Sequence, residues 1–411
     1  MQLIKAIMLI MLTILIAACS ESTKEQEKEE VIVFKPTSLE LYLSSQLMIA
    51  DGNSELNIHA IAYDSDGNTR SNLAGVKIFI NNEESADRKY TTESVGEYDV
   101  YASIDGIETQ SLTFTAVEPK QYPIIEIPVI FHVGEYEGED YSYIDQAYVE
   151  KLIENLNKGF SNNYGSKNLN AVDTGIRFRL ASLDPDGNVL DEKGIHRFNA
   201  KPYDDGGAHY SPFGELYNTP NNVEFGTFEV HRMAEEQHWP QDLYKNVYIA
   251  PTEDANWAVF YQLADNSDVL IPGIEQGIEY NDDGTLFTDI LFITPSEAPG
   301  TVIIHEMGHS FGLLHPESYD GCITADFVTD TLSIDSQDYE YICEQDSLGQ
   351  MFIENPDKLH LDNFMHGAKN WTSYEVGYTT DYDNFTYGQR ERMRLVIKEG
   401  KYISDLINSD R

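Results

Sequence analysis

Apolar and polar residues alternate in short runs through the first part of the chain, from about Val31 to Glu118. Leu39-Glu40-Leu41-Tyr42-Leu43 alternates, as does Leu56 to Tyr63, and Val76 to Ile80 and Tyr98 to Tyr101 add further segments. A period of two turns one face of each segment toward a core, so these are predicted β-strands. Asp51-Gly52-Asn53, Asp66-Gly67-Asn68 and Asp105-Gly106 fall between them. Asx-Gly pairs supply the positive φ that tight turns require. Short strands separated by such turns predict a β-sandwich over residues 34–118.

The pattern changes at Pro119 to Pro123, which reads as a linker. Ile124 to Val133 is then almost unbroken apolar sequence, the mark of a strand covered on both faces. Val149, Ile153, Leu156 and Phe160 recur at helical spacing, predicting a helix over Ile144 to Phe160 with Ser142 as its cap. Ile176 to Leu180 alternates again and runs to the turn Asp184-Pro185-Asp186-Gly187-Asn188, and Asn246 to Ala250 is a further strand. Residues 199–241 show no period that assigns them. This order predicts an α+β unit over 122–411, and so a multidomain chain.

Charge narrows the partners. Seventy acidic side chains against 27 basic ones leave a formal charge of -43, which repels phosphate and excludes a nucleic-acid partner. At the N-terminus, Lys5 precedes the apolar run Ala6 to Ile16, too short to anchor in a bilayer, and small residues follow. That order predicts a secretory signal peptide over 1–18. Ile16-Ala17-Ala18-Cys19 resembles the lipobox of bacterial lipoproteins, which implies a lipid anchor on Cys19 and an exported protein of the outer membrane or cell surface. Residues 19–33 are acidic and read as a solvated tether. Cys322 and Cys343 remain; in an exported chain they are expected to form one disulfide, buried free thiols being the alternative.

The densest chemistry lies in His305-Glu306-Met307-Gly308-His309-Ser310-Phe311-Gly312-Leu313-Leu314-His315. Residues four apart share a helix face, so His305 and His309 can aim two imidazoles at one ion. Glu306, one position on, is turned from ligation but within reach of a water at that ion. Gly312 can take the left-handed conformation that ends the helix and brings His315 round as a third ligand. Three protein ligands and an open fourth position make a catalytic zinc site. With 11 histidines in 411 residues, H-E-x-x-H arises by chance in about 3 of 100 such chains. Adding Gly312 and His315 lowers this to roughly 5 in 100,000.

This run resembles the long consensus of the metzincin proteases, and neighbouring segments resemble the pappalysin group, with its ulilysin-like members. Ile127 to His132 is similar to that group's first catalytic-domain strand, and Gly321-Cys322 followed by Asp326-Phe327-Val328-Thr329-Asp330-Thr331 to its cysteine and D-x-V-x-D-T stretch. Asn363-Phe364-Met365 is similar to its Met-turn, and Phe385 to Met393 to the F-T-x-x-Q-x-x-R-M run of its last helix. The resemblance implies an α+β zincin-like domain with zinc on His305, His309 and His315, and Glu306 as general base. It implies Met365 beneath the metal, a protein or peptide as substrate, and calcium at Asp326 and Asp330, where a solvated acidic loop is the competing reading. Gly367 stands where some metzincins carry a tyrosine, a role assigned to neither His366 nor Tyr374. His132 and His360 are expected as hydrogen-bonded structural histidines. Residues 34–118 resemble bacterial immunoglobulin-like modules, whose partner the sequence does not identify. The function expected is therefore that of a surface zinc endopeptidase. The alternative is a surface binding lipoprotein whose peptidase domain is degenerate.

Overall fold

The computed structural model describes residues 34–71, 73–135, 140–166, 170–203, 233–234, 236–249, 257–258, 269–274, 291–293, 300–318, 326–331, 334–335, 341–343, 352–354, 363–365, 383–400 and 402–411. Two sheets come first. Ser38–Leu43, Leu56–Tyr63, Thr69–Ser71 and Lys89–Tyr90 form an antiparallel sheet, and Leu47–Ile49, Lys77–Ile80, Glu83–Ser85, Gly96–Ile104, Ile107–Glu108 and Leu112–Val117 form the other. The alternation anticipated in Leu56–Tyr63 is the packing pattern: Leu56, Ile58 and Ala60 are buried in one core with Ile78, Val100, Phe114 and Ala116 of the facing sheet. Asp105 and Gly106, at φ 48° and 84°, connect the paired Ile104 and Ile107 in the tight hairpin that the Asp-Gly pair specifies. Leu47–Ile49 has only three residues, too few to show a period, and was not anticipated.

The second part is organised on the strand Ile125–Glu135, whose residues 127–134 are buried. One edge pairs in parallel with Ile176–Leu180 and then Ile195–Asn199, and the other with Lys245–Ile249, beyond which lie Leu291–Ile293 and Trp257–Ala258. Among the described strands only Trp257–Ala258 joins this sheet antiparallel. Parallel neighbours need a crossover, and the helix Gln146–Phe160 provides it between Ile125–Glu135 and Ile176–Leu180. The arrangement is thus mixed α/β, with strands and helices interleaved rather than segregated.

Val149, Leu152, Leu156 and Phe160 fix that helix to the sheet, each fully buried. Its cap is Asp145, not Ser142: the Asp145 side chain accepts the Tyr148 N–H at 3.0 Å. Ser142 is held one turn earlier, its own N–H donating to Asp140 Oδ1 at 2.9 Å, and a turn from Ile144 N–H to the Tyr141 carbonyl (3.0 Å) precedes the helix.

Residues 118–124 carry no helix or strand, and Lys120 of this stretch pairs with Glu391 at 2.7 Å. The N-terminal sheets also touch the second part directly. Asn170 Nδ2 donates to the Glu55 carbonyl at 2.8 Å, and Ile49, Val172 and Tyr387 form one apolar cluster. Among the described residues no helix is long and apolar enough to cross a membrane.

Candidate metal centre

The helix Val302–Ser310 packs Ile303, Ile304 and Met307 fully into the core, which leaves the opposite face to His305 and His309. Its end is closed by two backbone bonds: Leu313 N–H to the Gly308 carbonyl (3.1 Å) and Gly312 N–H to the His309 carbonyl (2.7 Å). This pairing is the Schellman motif, which needs a left-handed residue, and Gly312 supplies it at φ 85°. The chain then reverses and delivers His315. The helix stop predicted at Gly312 is therefore what brings the third imidazole to the first two.

The three rings meet at their Nε2 atoms. His305 and His309 are 3.0 Å apart there, His305 and His315 3.1 Å, and His309 and His315 2.9 Å. The other ring nitrogens decide what this means. His305 Nδ1 lies 2.6 Å from the Phe364 carbonyl and His309 Nδ1 2.8 Å from the Leu313 carbonyl. A carbonyl can only accept, so both Nδ1 atoms carry the proton and both Nε2 atoms present bare lone pairs. Two lone pairs 3.0 Å apart repel. A cation at their meeting point converts that repulsion into coordination, so the donor set fits a metal ion.

Burial pushes all three imidazoles below the ordinary histidine pKa; neighbouring rings add to this for His309 and His315, the latter falling to about 3, while the Phe364 carbonyl partly opposes it at His305. Neutral rings are the form a metal binds. Among the described residues, these three are the group whose ligand atoms converge on one point. Glu306 is 6% exposed on the same helix and is not among the three residues whose ligand atoms converge.

Met365 lies beneath the helix. A Cβ built at Gly308 would come within 2.5 Å of its sulfur, so this approach requires glycine. Asp326 and Asp330 are buried, but their carboxylates serve other donors. Asp326 accepts from Thr331 Oγ1 and from Val328 N–H (3.1 Å), and Asp330 from Thr386 Oγ1 and Gly388 N–H, both at 2.7 Å.

No protein-family model matches the chain, and no curated protein does. Solved structures of mirolysin are similar to it. One holds mirolysin in complex with a compound, at 21% identity over 70% of this chain and 96% of that one, with a TM-score of 0.43. A second holds mature mirolysin of Tannerella forsythia with a cleaved peptide, at 22% identity, the same coverage and a TM-score of 0.42. A promirolysin mutant from that organism gives 19%, 70% of this chain, 85% of that one and 0.44.

His132 is a structural histidine, as anticipated. Its Nε2 bonds Asn246 Oδ1 at 2.8 Å, and its Nδ1 lies 2.9 Å from His196 Nδ1. Cys19, Cys322, His360, His366, Gly367 and Tyr374 lie outside the described residues; of Cys343, the backbone is described, in the strand Tyr341–Cys343. The sequence places Asn363, Gln389 and Arg392 inside segments of family resemblance without assigning any of them a role. One signal was available: Thr386-x-x-Gln389 before an apolar run is a capping box, and both its bonds are present.

Proposed function

We propose that the chain is an exported zinc metalloendopeptidase of the metzincin type, within or beside its pappalysin-like group, acting on extracellular proteins. The observation that carries this is the convergence of three Nε2 atoms with the Nδ1 protons of His305 and His309 committed to carbonyls. His305, His309 and His315 hold the ion, and Glu306 acts beside them. A zinc ion so held supplies Lewis acidity that lowers the pKa of water to about 7 and polarises a carbonyl. The Glu306 carboxylate takes a proton from the attacking water and returns it to the leaving amine nitrogen. The buried helix face and the Met365 packing keep the three rings in register while this happens.

The same reading makes residues 34–118 an immunoglobulin-like module, 122–411 the peptidase, Cys19 the lipid-bearing first residue, and Cys322 and Cys343 a disulfide. The test is hydrolysis of a diverse peptide library with and without chelator, together with two variants. Glu306→Gln should keep its zinc and lose about 10²–10⁴-fold in hydrolysis. His309→Ala should lose zinc itself. Near-normal hydrolysis by zinc-loaded Glu306→Gln rules out this mechanism.

A further inference from the structure

A line of polar contacts, buried from Asp330 onward, runs to His305, and peptide hydrolysis makes no use of it. At its centre is Gln389, 1% exposed, in the first turn of the helix Tyr387–Glu399. Its Oε1 accepts the Thr386 N–H at 3.0 Å and Asn363 Nδ2 at 2.8 Å, while its Nε2 donates to Asn363 Oδ1 at 2.9 Å. The Thr386 N–H can only donate, so the Gln389 amide has one orientation. Asn363 is fixed likewise, because its Oδ1 also accepts the Met365 N–H at 2.9 Å. The two amides thus latch the turn Asn363-Phe364-Met365 to the helix. The carbonyl that turn presents is that of Phe364, the acceptor of the His305 Nδ1 proton.

The helix is itself anchored from behind. Asp330 caps its N-terminus through Thr386 Oγ1 and Gly388 N–H, and the carbonyl of the preceding Thr329 accepts the N–H of Gln46, in the exposed bend just before the strand Leu47–Ile49, at 3.1 Å. One turn past Gln389, Arg392 Nε donates to the Gly312 carbonyl at 2.6 Å and Nη2 to the Pro272 carbonyl at 2.7 Å. That bond steadies the reversal leading to His315.

We infer that Gln389 is a positioning residue of the metal centre, acting through Asn363 and the Phe364 carbonyl to hold His305 with its proton on Nδ1 and its Nε2 toward the ion. This rests on the three histidines being a metal site, and it would hold whatever the substrate. Outer hydrogen bonds to a ligating imidazole orient it and set its tautomer, and losing one typically costs about 10–100-fold in metal affinity.

Gln389→Glu separates this role from helix capping. Glutamate serves a capping box as well as glutamine and suits a helix N-terminus, so the cap survives. Its carboxylate cannot donate to Asn363 Oδ1, so the latch is broken. Asn363→Asp breaks the latch from the other side, keeping the acceptor for Met365 N–H but losing the donor to Gln389. Zinc affinity is measured by chelator competition on the full mature chain, with thermal unfolding of the metal-free protein and the visible spectrum of the cobalt(II) form alongside. Each variant should bind zinc at least about tenfold more weakly and shift the cobalt spectrum, beyond what any loss of folded fraction seen in metal-free unfolding accounts for. Unchanged zinc affinity in both variants overturns the inference, as does a loss fully accounted for by a smaller folded fraction. A wild-type chain that binds no zinc overturns it together with the metal site. A wild-type chain that binds zinc but cleaves no peptide removes the peptidase reading alone, and the affinity comparison still decides the role of Gln389.

Discussion

Gly312→Ala tests whether the helix stop builds the metal centre. At φ 85° the residue sits in the left-handed region, where a side chain costs about 1–2 kcal/mol. Space is short as well. A Cβ there would lie 2.6 Å from Ile274 Cδ1 and 2.7 Å from Val396 Cγ2, both in the packed core. Forcing a methyl group into such a place costs about 1–3 kcal/mol. Together these predict a loss of about 2–5 kcal/mol, with Ile274 and Val396 displaced. The cost falls on the metal centre in particular, since the same residue redirects the chain to His315 and its carbonyl holds Arg392 Nε. Denaturant unfolding of the metal-free protein gives the stability loss, and chelator competition gives zinc affinity. Stability should fall by the amount stated and zinc affinity should drop with it. A change under about 1 kcal/mol with unaltered zinc affinity would refute the reasoning, because the left-handed conformation and the contacts could not then be as described.

Three further outcomes are expected. Acidification from pH 7 toward 4 should destabilise the metal-free protein. His132, His196, His238, His305, His309 and His315 are all held neutral by burial, His238 down to about 4, whereas the unfolded chain protonates its histidines near 6.5. The unfolded state therefore binds more protons in that window, and stability falls with pH. Asp326 and Asp330, raised by burial to about 6, act oppositely between about 6 and 4 but are outnumbered; a melting temperature that stays level or rises from pH 7 to 4 would contradict this. Cys19→Ala should release the protein from the membrane fraction or leave it unprocessed, and unchanged membrane association would rule out the lipid anchor. Mass spectrometry of an unreduced digest should show the Cys322 and Cys343 peptides joined; two alkylatable thiols would exclude the bond.

Much of the scaffold was legible because it is written in local periods. Leu56 to Tyr63 alternates and packs as it alternates, and Asp105-Gly106 turns the chain where an Asp-Gly pair should. Ile125–Glu135 is almost unbroken apolar sequence at its centre and is buried on both faces over residues 127–134. These are properties of residues one, two or four apart, which the backbone geometry of strand and helix converts directly into direction. The histidine motif belongs to the same class: spacing alone places His305 and His309 on one face, and Gly312 is readable as the stop that returns His315.

What only the tertiary structure decided was everything that depends on contacts between distant segments. His305 carries its proton on Nδ1 because Phe364, 59 residues away in sequence, offers a carbonyl there. That carbonyl is placed by Asn363 and Gln389, 26 residues apart, and the helix behind them is capped by Asp330, 58 residues from Gly388. Asp326 and Asp330, for which the sequence left calcium ligation and a solvated loop both open, are buried and accept from hydroxyl and N–H donors that folding brings to them. The parallel order of the central sheet likewise follows from which strands meet, not from the apolar pattern of any one of them. Hydrophobic period specifies which face of a segment is buried; it carries no information on which polar group will lie opposite, and here those partners, the Phe364 and Leu313 carbonyls, set the tautomers of His305 and His309.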